Sequence, residues 1–185
     1  MNLIAVGRLV PRKGFDTVLK AMNVLRQRGL DLVLRIVGDG PERDALESLT
    51  SELDLRECVS FVGYVPRERM CHQLSNADVL VSGSVQEGFS MSMLESLASG
   101  VPVVGFEVGG LAELVIQGKT GTVAHEETPS GLAEAVQGLL PVTRSMRSSC
   151  VAMGQRYSSA GIADRVMGVL ERAVGIGSPD SMVVS

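Results

Sequence analysis

The sequence predicts an α/β fold in which a parallel sheet of about six strands is covered by helices on both faces. Short, almost wholly apolar runs alternate with longer segments whose apolar residues recur at helical spacing, which is typical of such a sheet. The 21 glycines among 185 residues fall mostly between these runs, where tight turns need them. Hydrophobic residues make up 45% of the chain and aromatic residues only 3%, so we expect a well-filled aliphatic core.

The first half of the chain contains three units of a strand followed by a helix. Strands are predicted at residues 3–6, 32–37 and 59–62, and helices at 15–28, at 41 to about 53, and near 67–75. The first helix has apolar residues at positions 15, 18, 19, 22 and 25 and ends at Gly29. Pro41 follows the Gly38-Asp39-Gly40 turn, where proline suits the first helical position.

The second half continues the alternation with shorter elements. Strands are predicted at 79–82, 101–106 and 122–124, with a helix of about two and a half turns ending before Gly100 and a short one near 111–115. Thr128-Pro129 predicts an N-cap and first residue for a helix to 140, and further helices are expected at 143–156 and 162–174. We expect residues 1–174 to form one domain and residues 175–185 a flexible tail.

The stretch 86–100, which joins the fourth and fifth strands, contains two acidic residues. Glu87 lies in a glycine-containing loop and Glu95 in the helix after it. If that helix starts near Ser92, both carboxylates face one cleft, beside helix amides that favour an anion. Carboxylates for sugar hydroxyls next to amides for phosphate suit a sugar nucleotide. The alternatives are a capping box between Ser92 and Glu95 and a solvated loop charge at Glu87.

Two basic residues, Arg8 and Lys13, flank the loop after the first strand. Arginine offers a planar fork to phosphate oxygens and lysine a compact charge, although a solvated basic loop would look the same in sequence. Ligands of such sheets bind beyond the carboxyl ends of the strands, where the strand order reverses. That placement favours a role for both cations in binding a phosphate group.

Composition excludes several other classes of function. The net charge of −4 argues against nucleic acid or anionic lipid as a partner. Three cysteines without metal-type spacing indicate a reducing compartment, so a cytoplasmic location is expected. The two histidines have no metal-ligand spacing and no Asp-x-Asp pair occurs, so no metal or other cofactor is expected. No apolar run approaches the length of a membrane span.

The ordered motifs resemble those of the family 4 retaining glycosyltransferases. They are Gly7-Arg8-Leu9 with Lys13-Gly14, Val37-Gly38-Asp39-Gly40-Pro41, Phe61-Val62-Gly63-Tyr64-Val65, Glu87-Gly88-Phe89 with Leu94-Glu95, Ala98-Ser99-Gly100-Val101-Pro102, and Gly109-Gly110 with Glu113. The match is to the C-terminal, donor-binding domain of these two-domain GT-B enzymes, whose sheet is Rossmann-like. It covers residues 3–140 well and 141–174 loosely.

The resemblance implies a role for each matching residue. Arg8 and Lys13 would hold the donor diphosphate, Glu87 would contact the transferred sugar, and these three form the predicted catalytic set. Glu95 would bind the ribose hydroxyls. The predicted donor-binding set is completed by residues for the base, sugar and phosphate: Gly7, Gly38, Tyr64, Val65, Val85, Phe89, Ser90, Met91 and Ser92. Ser90 and Met91 depart from the family's usual glycine and aliphatic residue.

The resemblance also implies an activity and its partners. Such an enzyme transfers a hexosyl group from a nucleoside-diphosphate sugar with retention of configuration and without a metal. The acceptor would bind a separate N-terminal domain or partner chain, which this sequence lacks, and any membrane association would come through those missing parts. Two alternatives stay open: a non-catalytic module that binds a nucleotide or a partner, and a nucleotide-sugar epimerase.

Overall fold

A computed structural model of the chain describes residues 1–86, 90–158, 161, 162 and 167. Six strands in these ranges form one parallel sheet of order β3-β2-β1-β4-β5-β6. The predicted α/β class and strand number are therefore confirmed, and each strand lies within about two residues of its prediction. The strands are β1 (Asn2–Val6), β2 (Val33–Val37), β3 (Val59–Gly63), β4 (Val79–Val81), β5 (Val103–Gly105) and β6 (Gly121–Val123).

Seven α-helices occur in the described ranges. They are α1 (Phe15–Gln27), α2 (Arg43–Glu52), α3 (Arg67–Ser75), α4 (Met91–Ala98), α5 (Leu111–Leu114), α6 (Pro129–Leu139) and α7 (Arg147–Arg156). Short 3₁₀ segments at Pro11–Lys13 and Leu140–Met146 complete them. Right-handed crossovers place α1 and α2 on one face and α3 and α4 on the other. Accordingly α1 packs against α2, and α3 packs against α4. The later helix α6 also packs against α1.

The strand order reverses at the centre of the sheet. β1 pairs with β2 from Asn2 opposite Val33 to Val6 opposite Val37, and with β4 from Leu3 opposite Val79. The chain runs outward from β1 to β3 and then crosses back to β4 on the other side of β1. The loops after β1 and β4 therefore diverge from neighbouring strands, and a cleft opens between them at the carboxyl edge.

The core is aliphatic, as composition predicts. Side chains of the central strands, such as Ile4, Leu34 and Val103, have no exposed surface. Leu19 of α1 and Leu132 of α6 are buried to the same extent. The predicted apolar stripe of the first helix is confirmed, because all five of its residues are buried: Phe15, Val18, Leu19, Met22 and Leu25. Thr128 also acts as the predicted N-cap of α6, since its Oγ1 accepts a hydrogen bond from the Gly131 amide at 3.1 Å.

Two predicted helix limits are wrong. Pro41 is not the first residue of α2, which begins at Arg43. The Glu42 amide instead donates to the Leu9 carbonyl at 3.1 Å, which holds this segment in a turn against the loop after β1. The helix predicted at 143–156 is divided, because residues up to Met146 are 3₁₀ and α7 starts at Arg147.

The chain divides into a compact unit of Met1–Gly154 and a second unit of Gln155–Ser185. The site residues discussed below all belong to the first unit. Most of the helix predicted at 162–174, and the whole predicted tail at 175–185, lie outside the described residues. The predicted domain boundary at residue 174 therefore stays a prediction. None of the helices in the described ranges is both long and apolar enough to cross a lipid bilayer.

Candidate functional site

Glycine pairs bring the loops after β1, β2 and β4 into backbone contact at the carboxyl edge of the sheet. A Cβ atom on Gly14 would overlap the carbonyl oxygen of Gly83, and one on Gly38 would overlap that of Gly7. Gly14 and Gly38 also have positive φ angles, 60° and 137°, which residues with a side chain rarely adopt. The sequence thus needs glycine at these positions for the loops to meet.

Hydrogen bonds fix the same loops to one another. The Leu9 amide donates to the Asp39 carbonyl at 3.0 Å, and the Gly38 amide donates to the Gly63 carbonyl at 2.8 Å. On the other side of β1, the Arg12 carbonyl accepts from the Ser84 hydroxyl at 3.1 Å and from the Val85 amide at 3.2 Å. The edge of the sheet is therefore a preorganised surface built on backbone contacts.

A cavity of about 400 Å³ lies at the ends of β1, β2 and β3, within the size range of small-molecule pockets. It brings together five residues of the predicted site: Gly7, Arg8, Gly38, Tyr64 and Val65. Its other lining residues are Val6, Val37, Asp39 and Met70. Tyr64 is 77% exposed, so its ring stands at the surface beside the cavity and offers an aromatic face to a planar ligand.

Lys13 lies next to this cavity, on the side towards β4. The position that a Cβ atom of Gly7 would occupy is 3.7 Å from both Cδ and Cε of Lys13, so the aliphatic stem passes over the end of β1. Lys13, Ser90 and Ser92 line a second, much smaller cavity of about 10 Å³, which shares Val6 with the larger one. The start of α4 and both predicted phosphate-binding cations thus belong to one continuous edge.

The helix after β4 begins within one residue of the predicted start near Ser92, but Ser92 is not its N-cap. Its N-cap is Ser90, its first residue is Met91, and the Ser90 and Ser92 hydroxyls hydrogen-bond to each other at 3.1 Å. Glu95 is then the fifth helical residue, beyond the first turn, and the capping box with Ser92 does not form. The alternative interpretation of Glu95 as a cap is therefore wrong. The first amides of α4 have no intrahelical acceptors, and Ser90 and Ser92 at this end of the helix line the smaller cavity at the same edge.

Glu95 instead forms an ion pair with the helix across from it. Its Oε1 lies 3.5 Å from Nε of Arg67, the first residue of α3. The Glu95 side chain is 28% exposed and that of Arg67 is 78% exposed. Because Arg67 follows Tyr64 and Val65 by two to three residues, the pair lies beside the chain segment that lines the larger cavity. Glu95 is therefore linked to the loop after β3.

Three residues at the site were missed in the sequence. Asp39 and Met70 line the larger cavity, and Arg67 pairs with Glu95. Arg67 and Met70 are three positions apart in α3, so they lie on neighbouring parts of one helix surface. That spacing, directly after Tyr64-Val65, was the signal available. For Asp39 the signal was its place between two glycines at the end of β2.

Other predicted residues lie apart from the cavities or outside the described ranges. Val85 and Met91 line neither cavity and are 53% and 49% exposed. Glu87 and Phe89 are outside the described residues, so their placement stays a prediction. In the ranges that are described, no group of three or more His, Cys, Asp or Glu side chains is arranged to hold a metal ion.

Comparison with known proteins places the chain in a family. The family model described as glycosyl transferases group 1 matches residues 2–156. The GDP-mannose-dependent alpha-(1-6)-phosphatidylinositol monomannoside mannosyltransferase of Mycolicibacterium smegmatis is 37% identical over 157 residues, which are 81% of this chain and 41% of that protein. The chain thus spans less than half the length of this relative.

Solved structures of two longer proteins contain the same fold. Sucrose-phosphate synthase from Thermosynechococcus elongatus superposes with a TM-score of 0.79 at 29% identity, over 96% of this chain and 46% of that one. The Anabaena protein HepE, solved in complex with UDP, has a TM-score of 0.79 over 92% of this chain and 48% of that one, and its 24% identity shows the fold alone. The predicted Rossmann-like, GT-B type of fold is confirmed. With a family model that matches most of its length and a relative at 37% identity, this chain belongs to the glycosyl transferases group 1 family.

Proposed function

We propose that the chain binds a nucleoside-diphosphate sugar and forms the donor half of a glycosyltransferase that transfers a hexosyl group with retention of configuration. The observation that carries this proposal is the cavity of about 400 Å³ in which Arg8, Tyr64 and Val65 meet. Lys13 and the start of α4 lie directly beside it. The dependence of the mycobacterial relative on GDP-mannose and the UDP in the HepE structure support a nucleotide-sugar donor and leave the base open.

In this proposal the donor lies along the edge of the sheet. The base packs against Tyr64, Val65 and Met70, in the apolar part of the larger cavity. The diphosphate reaches from Arg8 towards Lys13 and the first amides of α4, where a helix N-terminus favours an anion. The sugar then extends towards Glu87, and the ribose hydroxyls towards Glu95.

The same groups would promote bond breaking. When the bond between sugar and diphosphate breaks, negative charge grows on the leaving group and positive charge on the sugar. The α4 amides are held by the helix before the reaction, and such preorganised groups stabilise developing charge without reorganising. Arg8 and Lys13 would add positive charge beside them. Because they supply positive charge at the diphosphate, we propose that transfer is independent of a metal ion.

In this proposal the acceptor binds to a different part of the enzyme. The relatives named above are more than twice as long as the matched region. We propose that the acceptor binds an N-terminal domain or a partner chain that closes the cleft and excludes water. A cytoplasmic location is proposed from the three cysteines, which are all free thiols: Cys58, Cys71 and Cys150.

The test of donor binding is calorimetric titration of the chain with UDP, GDP and ADP. We expect one of them to bind, and Lys13→Ala to weaken its affinity about tenfold or more, the loss expected for one charged hydrogen bond. Lys20→Ala removes the same charge from an exposed pair with Asp16 on α1 and should leave the affinity unchanged. Failure of all three nucleotides to bind would contradict the proposal.

A second assay separates an enzyme from a non-catalytic binding module. The chain is mixed with a candidate N-terminal partner and the nucleotide sugar that corresponds to the bound nucleotide, and release of nucleoside diphosphate is followed. Transfer that requires both chains and is lost in Lys13→Ala supports the donor half of an enzyme. If the chain binds the nucleotide but no sugar is transferred with any N-terminal partner that completes the cleft, the non-catalytic binding module is favoured.

A further inference from the structure

We propose that Arg67 is a positioning residue, which holds the Glu95 carboxylate in the orientation that receives the ribose hydroxyls of the donor. The inference rests on the proposed function and adds to it a residue and a physical role. It concerns the ion pair between the first residue of α3 and the fifth residue of α4, 3.5 Å from Nε to Oε1.

The two partners differ in how freely they move. Glu95 is 28% exposed, so neighbouring atoms limit its rotamers, whereas Arg67 is 78% exposed and approaches from the solvent side. One oxygen of the carboxylate faces Nε, at the outer limit of a direct polar contact. A carboxylate accepts about four hydrogen bonds, so pairing with Arg67 leaves acceptor positions for two ribose hydroxyls.

The ion pair between Arg67 and Glu95 adds little to the stability of the fold. Arg67 is the first residue of α3, where the positive end of the helix dipole disfavours a cation. An ion pair in which one partner is largely exposed adds little stability, so the two effects nearly cancel. A basic residue at this helix position is therefore better explained by what it does to Glu95 than by what it does for α3.

The position of Arg67 connects the pair to the larger cavity. Tyr64 and Val65 line the cavity three and two residues before Arg67, and Met70 lines it three residues after. Arg67 thus extends from the same short segment that would hold the base, towards the acid that would hold the ribose. A nucleoside spans these two contacts, because its base and ribose are joined directly.

Fixing the carboxylate in advance should show in ribose recognition. A hydrogen bond from a hydroxyl to a charged acceptor is stronger than one between neutral groups. It also costs less to form when the acceptor is already held in place. The last torsion of a glutamate side chain is broad even where packing limits the others. Without Arg67 this orientation of the Glu95 carboxylate must be fixed during binding, which weakens the contact. The loss should concern the ribose hydroxyls and leave recognition of the base and diphosphate unchanged.

The experiment compares ribose and 2′-deoxyribose ligands by calorimetry on the 185-residue chain. The probes are UDP, GDP and ADP, each against its 2′-deoxy form, and the readout is the ratio of the two dissociation constants. For the nucleotide that binds, we expect a ratio of about ten in the natural chain, from the one hydrogen bond removed. In Arg67→Gln the ratio should fall to about three or less, and Arg67→Lys should recover part of it.

Two further variants make the comparison specific. Arg69→Gln removes the same charge two residues along the same helix, from an exposed side chain, and should keep the ratio of the natural chain. Glu95→Gln should lower the ratio as Arg67→Gln does, and the double variant should lower it no further, because the two residues act through one contact. Circular dichroism during heating verifies that each variant is folded.

The outcomes distinguish this inference from the proposed function. If the natural chain binds none of the three nucleotides, the proposed function and this inference both fail. If it binds one, and Arg67→Gln keeps the ratio of the natural chain, the proposed function stands and Arg67 has no positioning role. Tighter binding of the ribonucleotide by Arg67→Gln would also overturn the inference, because Arg67 would then compete with the ribose for Glu95.

Discussion

Gly38 and Gly7 lie so close together that the Cα of Gly38 faces the carbonyl oxygen of Gly7 with no room for a side chain between them. This contact joins the ends of β1 and β2, and both residues line the larger cavity. The floor of the candidate donor site is therefore backbone, and its shape depends on Gly38, where no side chain fits.

Replacing Gly38 with alanine should lower the free energy of unfolding by about 2 to 4 kcal/mol. The new Cβ would overlap the Gly7 carbonyl oxygen, and φ at this residue is 137°, so steric and backbone strain add together. Chemical denaturation measures the change. Gly138→Ala is the matched control, because nothing lies within 4 Å of its added Cβ and the residue is inside α6, where alanine should stabilise by about 0.5 to 1 kcal/mol. Equal stability of the two variants would show that the loops do not touch as described.

Replacing Arg8 with glutamine should weaken binding of a nucleoside diphosphate about tenfold and leave binding of the free nucleoside unchanged. Arg8 lines the cavity and is assigned to the diphosphate, and a charged hydrogen bond contributes about 1.5 to 3 kcal/mol. Calorimetry with the nucleoside diphosphate and the nucleoside measures both effects. Arg12→Gln, four residues along the same loop, is the control and should alter neither affinity. A similar loss for nucleoside and diphosphate would place Arg8 at the base instead.

Replacing Met70 with alanine should weaken nucleotide binding about three- to tenfold. The Met70 side chain forms part of the apolar wall of the cavity, and truncation removes contact area from the base. The same titration measures the loss. Val33→Ala is the control, because it shortens an apolar side chain that is 41% exposed and lies outside the cavity. The nucleotide affinity of this variant should match that of the natural chain. An unchanged affinity in Met70→Ala would exclude this wall from the base site.

The buried thiol of Cys150 predicts a loss of stability at alkaline pH. Burial raises the pKa of Cys150 from 9.0 to about 11, and the thiol has no exposed surface. The unfolded chain then releases this proton at a lower pH than the folded chain, so the contribution is complete below pH 9 and is lost as pH rises through about 11. Denaturation between pH 8 and 11 should show a steeper decline for the natural chain than for Cys150→Ala. Parallel declines would contradict the prediction.

Sequence patterns were sufficient where the determinant is local. The stripe of α1 and the Thr128 cap follow from residues within one or two turns, and parallel strands bring their following loops to one edge whatever the details. That is why Arg8, Gly38 and Tyr64 could be assigned to one site before their positions were known.

Sequence patterns were insufficient where two neighbouring residues suit the same role. They were also insufficient where a contact joins segments that are far apart in the sequence. Ser90 and Ser92 are equally good N-caps, and the choice of Ser90 moved Glu95 beyond the first turn of α4. Pro41 suits a helix start, but the amide of Glu42 donates a hydrogen bond to the Leu9 carbonyl, and α2 begins only at Arg43. The ion pair of Arg67 and Glu95 joins two helices, and no spacing within either helix predicts which residue is the partner of the other.

The most direct test of the account is a crystal structure of the chain with its bound nucleoside diphosphate. We predict that the base lies against Tyr64 and Val65 in the larger cavity, with the diphosphate between Arg8 and Lys13. A nucleotide bound in another cavity, such as the one lined by Gln117 and His125 near β6, would contradict the proposed donor site.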